Sequence, residues 1–88
     1  MKILVAGCNG HVGRELVRKA IARNMQVRCF DLAPPKIAGV DASALDVVTG
    51  DITDPAAVRQ ATRGIAAVID VIGMDRTRDH VGQVTREG

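Results

Sequence analysis

Apolar and charged positions in the first 24 residues follow two different periods, which predict a strand and then a helix. The block 3–6 is apolar and partly β-branched and ends at Gly7, as is typical of a buried strand. Across residues 11–23 the apolar side chains recur at helical spacing, and charged side chains take the other face. Asn24 tolerates the left-handed backbone that ends helices, so we expect the helix to stop there.

Three further segments have the character of strands. Residues 26–30, closed by Asp31, predict the second strand, and residues 46–50 predict the third. The long apolar run 65–73, interrupted only by Asp70, predicts the fourth. Asp70 is either a catalytic carboxylate or, as we expect, a strand-end residue that faces water.

A second helix is expected between the third and fourth strands. Thr53 or Asp54 would be its N-cap and Pro55 its first residue, followed by a helical segment over 56–63. The segment 36–45 fits a short helix or an irregular crossover, and its pattern does not decide between them. Strands that alternate with helices over such short distances predict right-handed crossovers and a parallel sheet, so the class is α/β with one domain over 1–88.

Composition and charge exclude several functions. The net charge of +2, from 12 Lys and Arg against 10 Asp and Glu, is too balanced to attract a nucleic acid, and a single Phe without Trp or Tyr offers no stacking platform. No apolar run approaches the roughly 20 residues that cross a bilayer. Cys8 and Cys29 follow no signal peptide, which favours a reducing, cytoplasmic setting. We expect no metal site, because Asp75, Asp79 and His80 do not form a metal-binding signature.

The most informative motif is a GxxGxxG pattern between the first strand and the first helix. Gly7 allows the strand to turn, Gly10 lets the backbone approach a pyrophosphate, and Gly13 lets helix and sheet pack closely. The helix dipole adds positive charge where the amide groups face an anion. Asp31 ends the next strand 24 positions after Gly7, where a carboxylate can bond both hydroxyls of a ribose. The motif therefore predicts a dinucleotide site; the alternative is a tight turn followed by an ordinary strand-end acid.

Two side chains in this loop admit two interpretations each. Cys8 lies beside a helix N-terminus, which could lower its pKa and make it nucleophilic, although most such cysteines only pack. His11 could contact phosphate, although a histidine at a helix start is more often only solvated.

The blocks 6–13, 50–54 and 64–69, together with Asp31, resemble the short-chain dehydrogenase/reductase superfamily, in its extended and atypical branches. The resemblance implies a Rossmann-type sheet of strand order 3-2-1-4 with helices on both faces. It also implies a set of cofactor-binding residues that follows the dinucleotide from end to end. The pyrophosphate would be held by Gly7, Cys8, Asn9, Gly10, His11, Val12 and Gly13, the adenosine ribose by Asp31, the adenine by Asp51 and Ile52, and the nicotinamide-side ribose would border Ile72 and Gly73.

The implied function is to bind the ADP half of NAD or NADP within an oxidoreductase or a sugar-nucleotide epimerase. Asp31 favours NAD, because its charge repels a 2′-phosphate, although Arg28 or Lys36 could partly compensate. The superfamily's Tyr-x-x-x-Lys is absent, since the chain has no Tyr, so we assign no catalytic residue. A non-catalytic NAD(P) sensor is therefore the alternative.

The fourth strand is apolar on both faces, as a central strand would be, yet these 88 residues supply it with no fifth strand. We therefore expect an incomplete domain whose last residues, 84–88, begin a further helix. The exposed edge of the fourth strand suggests a third function, an interaction module that pairs with itself or with another chain.

Overall fold

A four-stranded parallel sheet forms the centre of the structure, a computed structural model that describes residues 1–73. The strands are β1 Lys2–Ala6, β2 Gln26–Asp31, β3 Asp46–Thr49 and β4 Ala67–Asp70, and the helices are α1 His11–Ala22 and α2 Pro55–Ala61. The order across the sheet is β3-β2-β1-β4, with parallel pairing between all neighbours. The predicted α/β class and the order 3-2-1-4 are confirmed.

The two helices cover opposite faces of the sheet. Successive strand residues point to opposite sides, so β1 and β2 supply apolar side chains to both helices. On one face, Val17 and Ala20 of α1 pack on a buried cluster contributed by β1 and β2, namely Ile3, Val5, Val27 and Cys29. On the other face, Ala61 of α2 packs on a smaller cluster, namely Leu4, Ala6 and Phe30. The sheet thus has a hydrophobic layer on each side, as expected for a Rossmann-type fold.

The ends of the helices follow local chemistry. Asn24 adopts φ +60 directly after the end of α1, as its type predicts. Asp54 is the N-cap of α2, where its carboxylate accepts a hydrogen bond of 3.1 Å from the Ala56 N–H, and Pro55 follows as the first helical residue. Within the undecided segment 36–45, the structure forms a 3-10 turn at Ala42–Ala44.

The fourth strand is shorter than the predicted 65–73. The chain leaves the strand after Asp70, whose carboxylate accepts a hydrogen bond of 3.0 Å from the Ile72 N–H, and Gly73 adopts φ +82. These contacts form a turn that an apolar pattern alone does not reveal. Asp70 is thus a half-buried strand-end residue that shapes this turn.

Within residues 1–73, β4 pairs with β1 alone and is therefore an edge strand. Its Val68 side chain is 52% exposed on the face that carries α2. The predicted helix start at 84–88 lies outside the described residues. Neither helix within residues 1–73 is long and apolar enough to cross a membrane.

Candidate functional site

The turn after β1 requires glycine at two of its positions, because a side chain would not fit there. Gly7 adopts φ +91, and its N–H donates to the Phe30 carbonyl at 2.9 Å. A Cβ at Gly7 would lie only 3.0 Å from the backbone nitrogen of Ile72, so space as well as conformation demands glycine. A Cβ at Gly13 would lie 2.8 Å from the Cys8 Cα and far inside contact distance of the Gly7 carbonyl oxygen. The predicted reasons for Gly7 and Gly13, a turn and close helix packing, are confirmed.

Helix α1 presents its positive end to this turn. Gly10 is the N-cap, with an extended backbone, and as a glycine it has no side chain with which to cap the helix. The first turn of α1 carries no acidic residue, so no carboxylate of the helix itself offsets the dipole there. His11 is exposed and Val12 is half-buried at this helix start. Such an N-terminus favours an anion.

Asp31 lies at the end of β2, beside the glycine turn. Its Oδ2 accepts a hydrogen bond of 2.9 Å from the Asn9 N–H, and its Oδ1 accepts one of 2.7 Å from the Leu32 N–H. Because each oxygen of a carboxylate can accept a second hydrogen bond, both retain acceptor capacity for a pair of hydroxyl groups. The two backbone donors also fix the direction of the carboxylate.

Asn9 joins the glycine turn to the loop that follows β2, a connection that sequence analysis missed. Its side-chain amide donates to the Ala33 carbonyl at 2.9 Å and to the Pro34 carbonyl at 3.4 Å, and its Oδ1 accepts from the Lys36 N–H at 3.4 Å. The available signal was a pair of prolines, 34 and 35, in a segment that must find hydrogen-bond partners outside regular structure.

A cavity of about 270 Å³ lies at the carboxyl ends of β1, β2 and β4. In parallel α/β sheets, ligands bind at this end, where neighbouring strands connect in opposite directions along the sheet. β1 lies between β2 and β4 and marks that point. The cavity brings together predicted site residues from three loops and adds Val71. Its lining residues are Gly7, Asn9, Gly10, Asp31, Val71, Ile72 and Gly73.

Other predicted site residues lie outside this cavity. Cys8 and Gly13 are buried beneath the turn, and Asp51 and Ile52 are exposed after β3. The Asp51 carboxylate accepts hydrogen bonds from the Thr53 N–H at 2.9 Å and the Thr53 hydroxyl at 2.7 Å, which hold the pKa of Asp51 below its usual range. Asp51 therefore shapes a local turn, and its side chain remains accessible to solvent.

Cys8 packs in the core, and the position beside the helix N-terminus does not lower its pKa. The residue is fully buried. A hydrogen bond with the Cys29 thiol and burial both raise the pKa of Cys8. The thiol therefore stays protonated despite its position beside the helix N-terminus.

Arg28 does not offset the charge of Asp31, which corrects the sequence-based expectation. Its guanidinium donates to Asp46 Oδ2 at 2.8 Å and to the carbonyls of Ala61 and Arg63 at 2.6 and 2.7 Å. These partners hold it at the C-terminal end of α2. The exposed Lys36 follows the prolines beside Asn9 and is the remaining candidate.

A larger cavity, of about 430 Å³, lies near the opposite ends of the strands. Its lining includes Lys2 and Asp46, which pair with each other at 2.9 Å. Residues 1–73 contain no group of three or more His, Cys, Asp or Glu arranged to hold a metal ion. Asp75, Asp79 and His80 lie outside the described residues. The glycine turn, Asp31 and the smaller cavity therefore form the candidate site.

Comparison with known proteins places the chain in a family. A family model described as NAD(P)H-binding matches residues 7–87. The chain belongs to this NAD(P)H-binding family. A short-chain dehydrogenase/reductase superfamily protein from Agrobacterium tumefaciens, solved with bound NAD, shares the fold with a TM-score of 0.68 and 30% identity. The match covers 94% of this chain and 24% of that one, and it confirms the resemblance to the short-chain dehydrogenases.

The names of two curated relatives of this NAD(P)H-binding domain describe different roles, a dehydrogenase and an assembly factor. The 3-beta-hydroxysteroid dehydrogenase of Mycolicibacterium neoaurum is 37% identical over 78 residues, which cover 82% of this chain and 21% of the relative. The photosystem II assembly factor Ycf39 of Cyanophora paradoxa is 36% identical over 70 residues, which cover 80% of this chain and 22% of the relative. The chain thus spans less than a quarter of the length of these relatives.

Proposed function

We propose that this NAD(P)H-binding domain holds the ADP half of the dinucleotide in the 270 Å³ cavity. The observation that carries the proposal is the convergence of three features at the carboxyl ends of β1 and β2. These are a turn with glycine at positions 7, 10 and 13, a helix N-terminus whose N-cap is glycine, and a carboxylate fixed by backbone N–H groups. Diphosphate needs the first two, and a ribose diol needs the third.

Each part of the dinucleotide then has its own partner. The turn from Gly7 to Gly13 holds the pyrophosphate through backbone amides, and Asp31 accepts hydrogen bonds from the adenosine ribose. Asp51 and Ile52 border the adenine from the end of β3, and Ile72 and Gly73 border the nicotinamide-side ribose. When bound, the cofactor supplies a nicotinamide ring that exchanges a hydride.

NAD is the expected cofactor, because the Asp31 carboxylate repels the 2′-phosphate of NADP. Arg28 is held elsewhere by three partners, which leaves the exposed Lys36 as the counter-charge. This selectivity makes the role of Asp31 testable.

Calorimetric titration with ADP, NAD and NADP tests the proposal. We expect Asp31→Ala to weaken NAD binding about tenfold, as the loss of a charge-assisted hydrogen bond does. We also expect it to reduce the difference between the affinities for NAD and NADP. Asp41→Ala, which removes an exposed carboxylate of the loop before β3, is the matched control and leaves both affinities unchanged. Equal affinities for NAD and NADP before and after the Asp31 change would refute the ribose role.

The wider role that we propose is the cofactor-binding part of an oxidoreductase or a sugar-nucleotide epimerase. One relative is named a dehydrogenase and another an assembly factor, so a regulatory protein that senses NAD(P) is the second candidate. The 88 residues contain no Tyr. Binding rather than turnover is therefore the activity assigned to them. In a longer protein that contains this domain, a Tyr-x-x-x-Lys pair together with reduction of NAD by a hydroxy compound, followed at the absorbance of NADH, favours the enzyme; NAD binding without such turnover in that protein favours the sensor.

A further candidate function is association with a second copy or another chain, which would pair with the edge of β4. It is favoured by the single strand neighbour of β4 within residues 1–73 and by the exposure of Val68. Sedimentation of the chain tests it. We expect Val68→Lys to abolish concentration-dependent association, because a lysine on an edge strand opposes pairing. Val47→Lys is the control, since Val47 is 39% exposed on the opposite edge strand, β3. A wild-type chain that stays monomeric at all concentrations contradicts this function.

A further inference from the structure

The two cysteines of the chain meet in the core beneath the glycine turn. Cys8 follows β1, and Cys29 lies in β2 opposite Val5, three residues before Cys8. Both are fully buried and belong to the same hydrophobic cluster on the α1 side of the sheet. Their thiols are joined by a hydrogen bond.

The hydrogen bond makes the two thiols unequal. Donation from Cys8 lowers the pKa of the Cys29 thiol, although burial opposes this effect. The same bond and burial raise the pKa of Cys8. Cys29 is therefore the better nucleophile of the pair, and Cys8 keeps its proton.

We propose that Cys8 and Cys29 form an intrachain disulfide when the protein reacts with a peroxide, and that this bond weakens the binding of the dinucleotide by the glycine turn. The part that concerns the dinucleotide rests on the proposed function above. Formation of the disulfide does not depend on it.

The chemistry needs one peroxide and no other reactant. The Cys29 sulfur attacks one oxygen of hydrogen peroxide, the O–O bond breaks, and the departing hydroxide leaves as water with the proton that Cys29 has lost. Cys29 is then a sulfenic acid. The Cys8 sulfur attacks the Cys29 sulfur, the S–O bond breaks, and the hydroxyl leaves as a second water with the Cys8 proton. Two thiols thus lose two electrons, which reduce one peroxide to two waters.

The candidate cavity offers a route to the buried pair. Gly7 and Asn9, the chain neighbours of Cys8, both line the cavity of about 270 Å³. Hydrogen peroxide is little larger than water, of which each molecule takes about 30 Å³ of liquid, so it fits this cavity easily. A local opening of the turn is enough to bring it to the thiols.

The disulfide would alter the turn because a covalent S–S bond is much shorter than a hydrogen bond between thiols. Cys8 must move toward β2 and carry Gly7 and Asn9 with it. The Asn9 N–H holds Asp31 at 2.9 Å, so the displacement reaches the carboxylate as well. We expect the affinity for the dinucleotide to fall about tenfold when the disulfide forms. Because such coupling is reciprocal, a bound dinucleotide lowers the equilibrium constant of disulfide formation by the same factor.

The first experiment treats the reduced chain with hydrogen peroxide, alkylates it after denaturation and measures its intact mass. We expect a loss of about 2 Da with no alkylation, reversed by dithiothreitol. Two alkylated cysteines, a gain of oxygen on each sulfur, or disulfide-linked dimers would overturn the proposal. Cys8→Ala and Cys29→Ala are the controls and form no intrachain disulfide. The wild-type mass decides the outcome even where a variant fails to fold.

The second experiment titrates NAD into the reduced and oxidised chain. We expect binding about tenfold weaker after oxidation and its recovery on reduction, whereas Cys29→Ala binds equally before and after peroxide. Equal affinity of the oxidised and reduced wild type would overturn the coupling. A disulfide that forms in a chain that never binds NAD refutes the proposed function alone. NAD binding without any disulfide refutes this inference alone.

Discussion

Gly13 is the position where one added methyl group should do the most damage. A Cβ there would meet two backbone segments, at the Cys8 Cα and the Gly7 carbonyl, and neither can move without shifting β1 or α1. We expect Gly13→Ala to lower the free energy of unfolding by at least about 2 kcal/mol, despite the roughly 1 kcal/mol by which alanine favours a helix. Urea denaturation measures the change.

Gly64→Ala is the matched control for that substitution. Gly64 has φ +72, but a Cβ there would meet nothing within 4 Å. Its cost should be limited to backbone strain of about 1 kcal/mol. A Gly13 variant as stable as the Gly64 variant would show that the helix can move away from the turn.

The glycine turn was predictable because its requirements are local. The spacing of the three glycines indicates a turn and a helix start within seven positions, from Gly7 to Gly13. The Asn9 contacts were not predictable, because their partners at Ala33 and Pro34 lie 24 and 25 positions away. Likewise, the apolar pattern after Gly64 did not indicate that Val71 would line the cavity, and Ile72 and Gly73 were expected there only from the family resemblance.

At the scale of elements, Arg28 connects β2 to the end of α2. Its guanidinium reaches the Ala61 and Arg63 carbonyls, which α2 and its C-terminal turn leave without helical partners, and its side chain is 14% exposed. We expect Arg28→Met to destabilise the protein by about 2 kcal/mol, because it removes charged hydrogen bonds and leaves Asp46 with one cation fewer. Amide exchange should accelerate in α2.

Arg28→Met should leave the preference between NAD and NADP unchanged, since the guanidinium is held away from Asp31. Lys36→Met is the paired variant and should weaken NADP binding more than NAD binding, because a lysine attracts the 2′-phosphate. Titration of both cofactors decides. A loss of NADP binding in the Arg28 variant would contradict the contacts described above.

Asp46 joins β3 to both β1 and β2. Hydrogen bonds from Lys2 at 2.9 Å and from Arg28 at 2.8 Å hold the pKa of Asp46 below its usual range. A lowered pKa contributes stability above the unfolded-state pKa, and that stability is lost as the pH falls through the folded-state pKa. Because the Asp46 side chain is 37% exposed, solvent screening reduces its contribution to about 0.5 kcal/mol.

We therefore expect Asp46→Asn to lower stability at pH 7 by about that amount and to flatten the decline of stability below about pH 4. Asp54→Asn is the control, since it removes the same charge but keeps an oxygen that caps α2. Thermal unfolding over a series of pH values gives the comparison. The same acid slope in both variants would show that the ion pairs contribute nothing.

The order of elements was more predictable than their lengths. Strand and helix periods are properties of the sequence, and the connection rules of parallel sheets fix their handedness. The end of β4 depends on one hydrogen bond from Ile72 to Asp70, and the cations around Asp46 come from two other strands. Such contacts exist only after the sheet has formed.

At the scale of the whole molecule, a small domain has little stability to spare. Chains of this size bury a smaller share of their surface than larger ones, so their net stability is low. A ligand at 100 times its dissociation constant adds about 2.7 kcal/mol. We expect saturating NAD to raise the melting temperature by about 10 to 20 °C, and Asp31→Ala to reduce that shift at the same concentration. An NAD-independent melting temperature would contradict the proposed binding.

The Asn9 side chain also couples the glycine turn of the cavity to the loop that follows β2. It clamps the proline-containing loop while its own backbone belongs to the glycine turn. We therefore expect the thermal fluctuations of these two loops to be correlated, so that a ligand fragment that immobilises one loop also restricts the other. Adenosine alone, which reaches no phosphate subsite, should already slow the motion of the turn and so prepare it for the diphosphate.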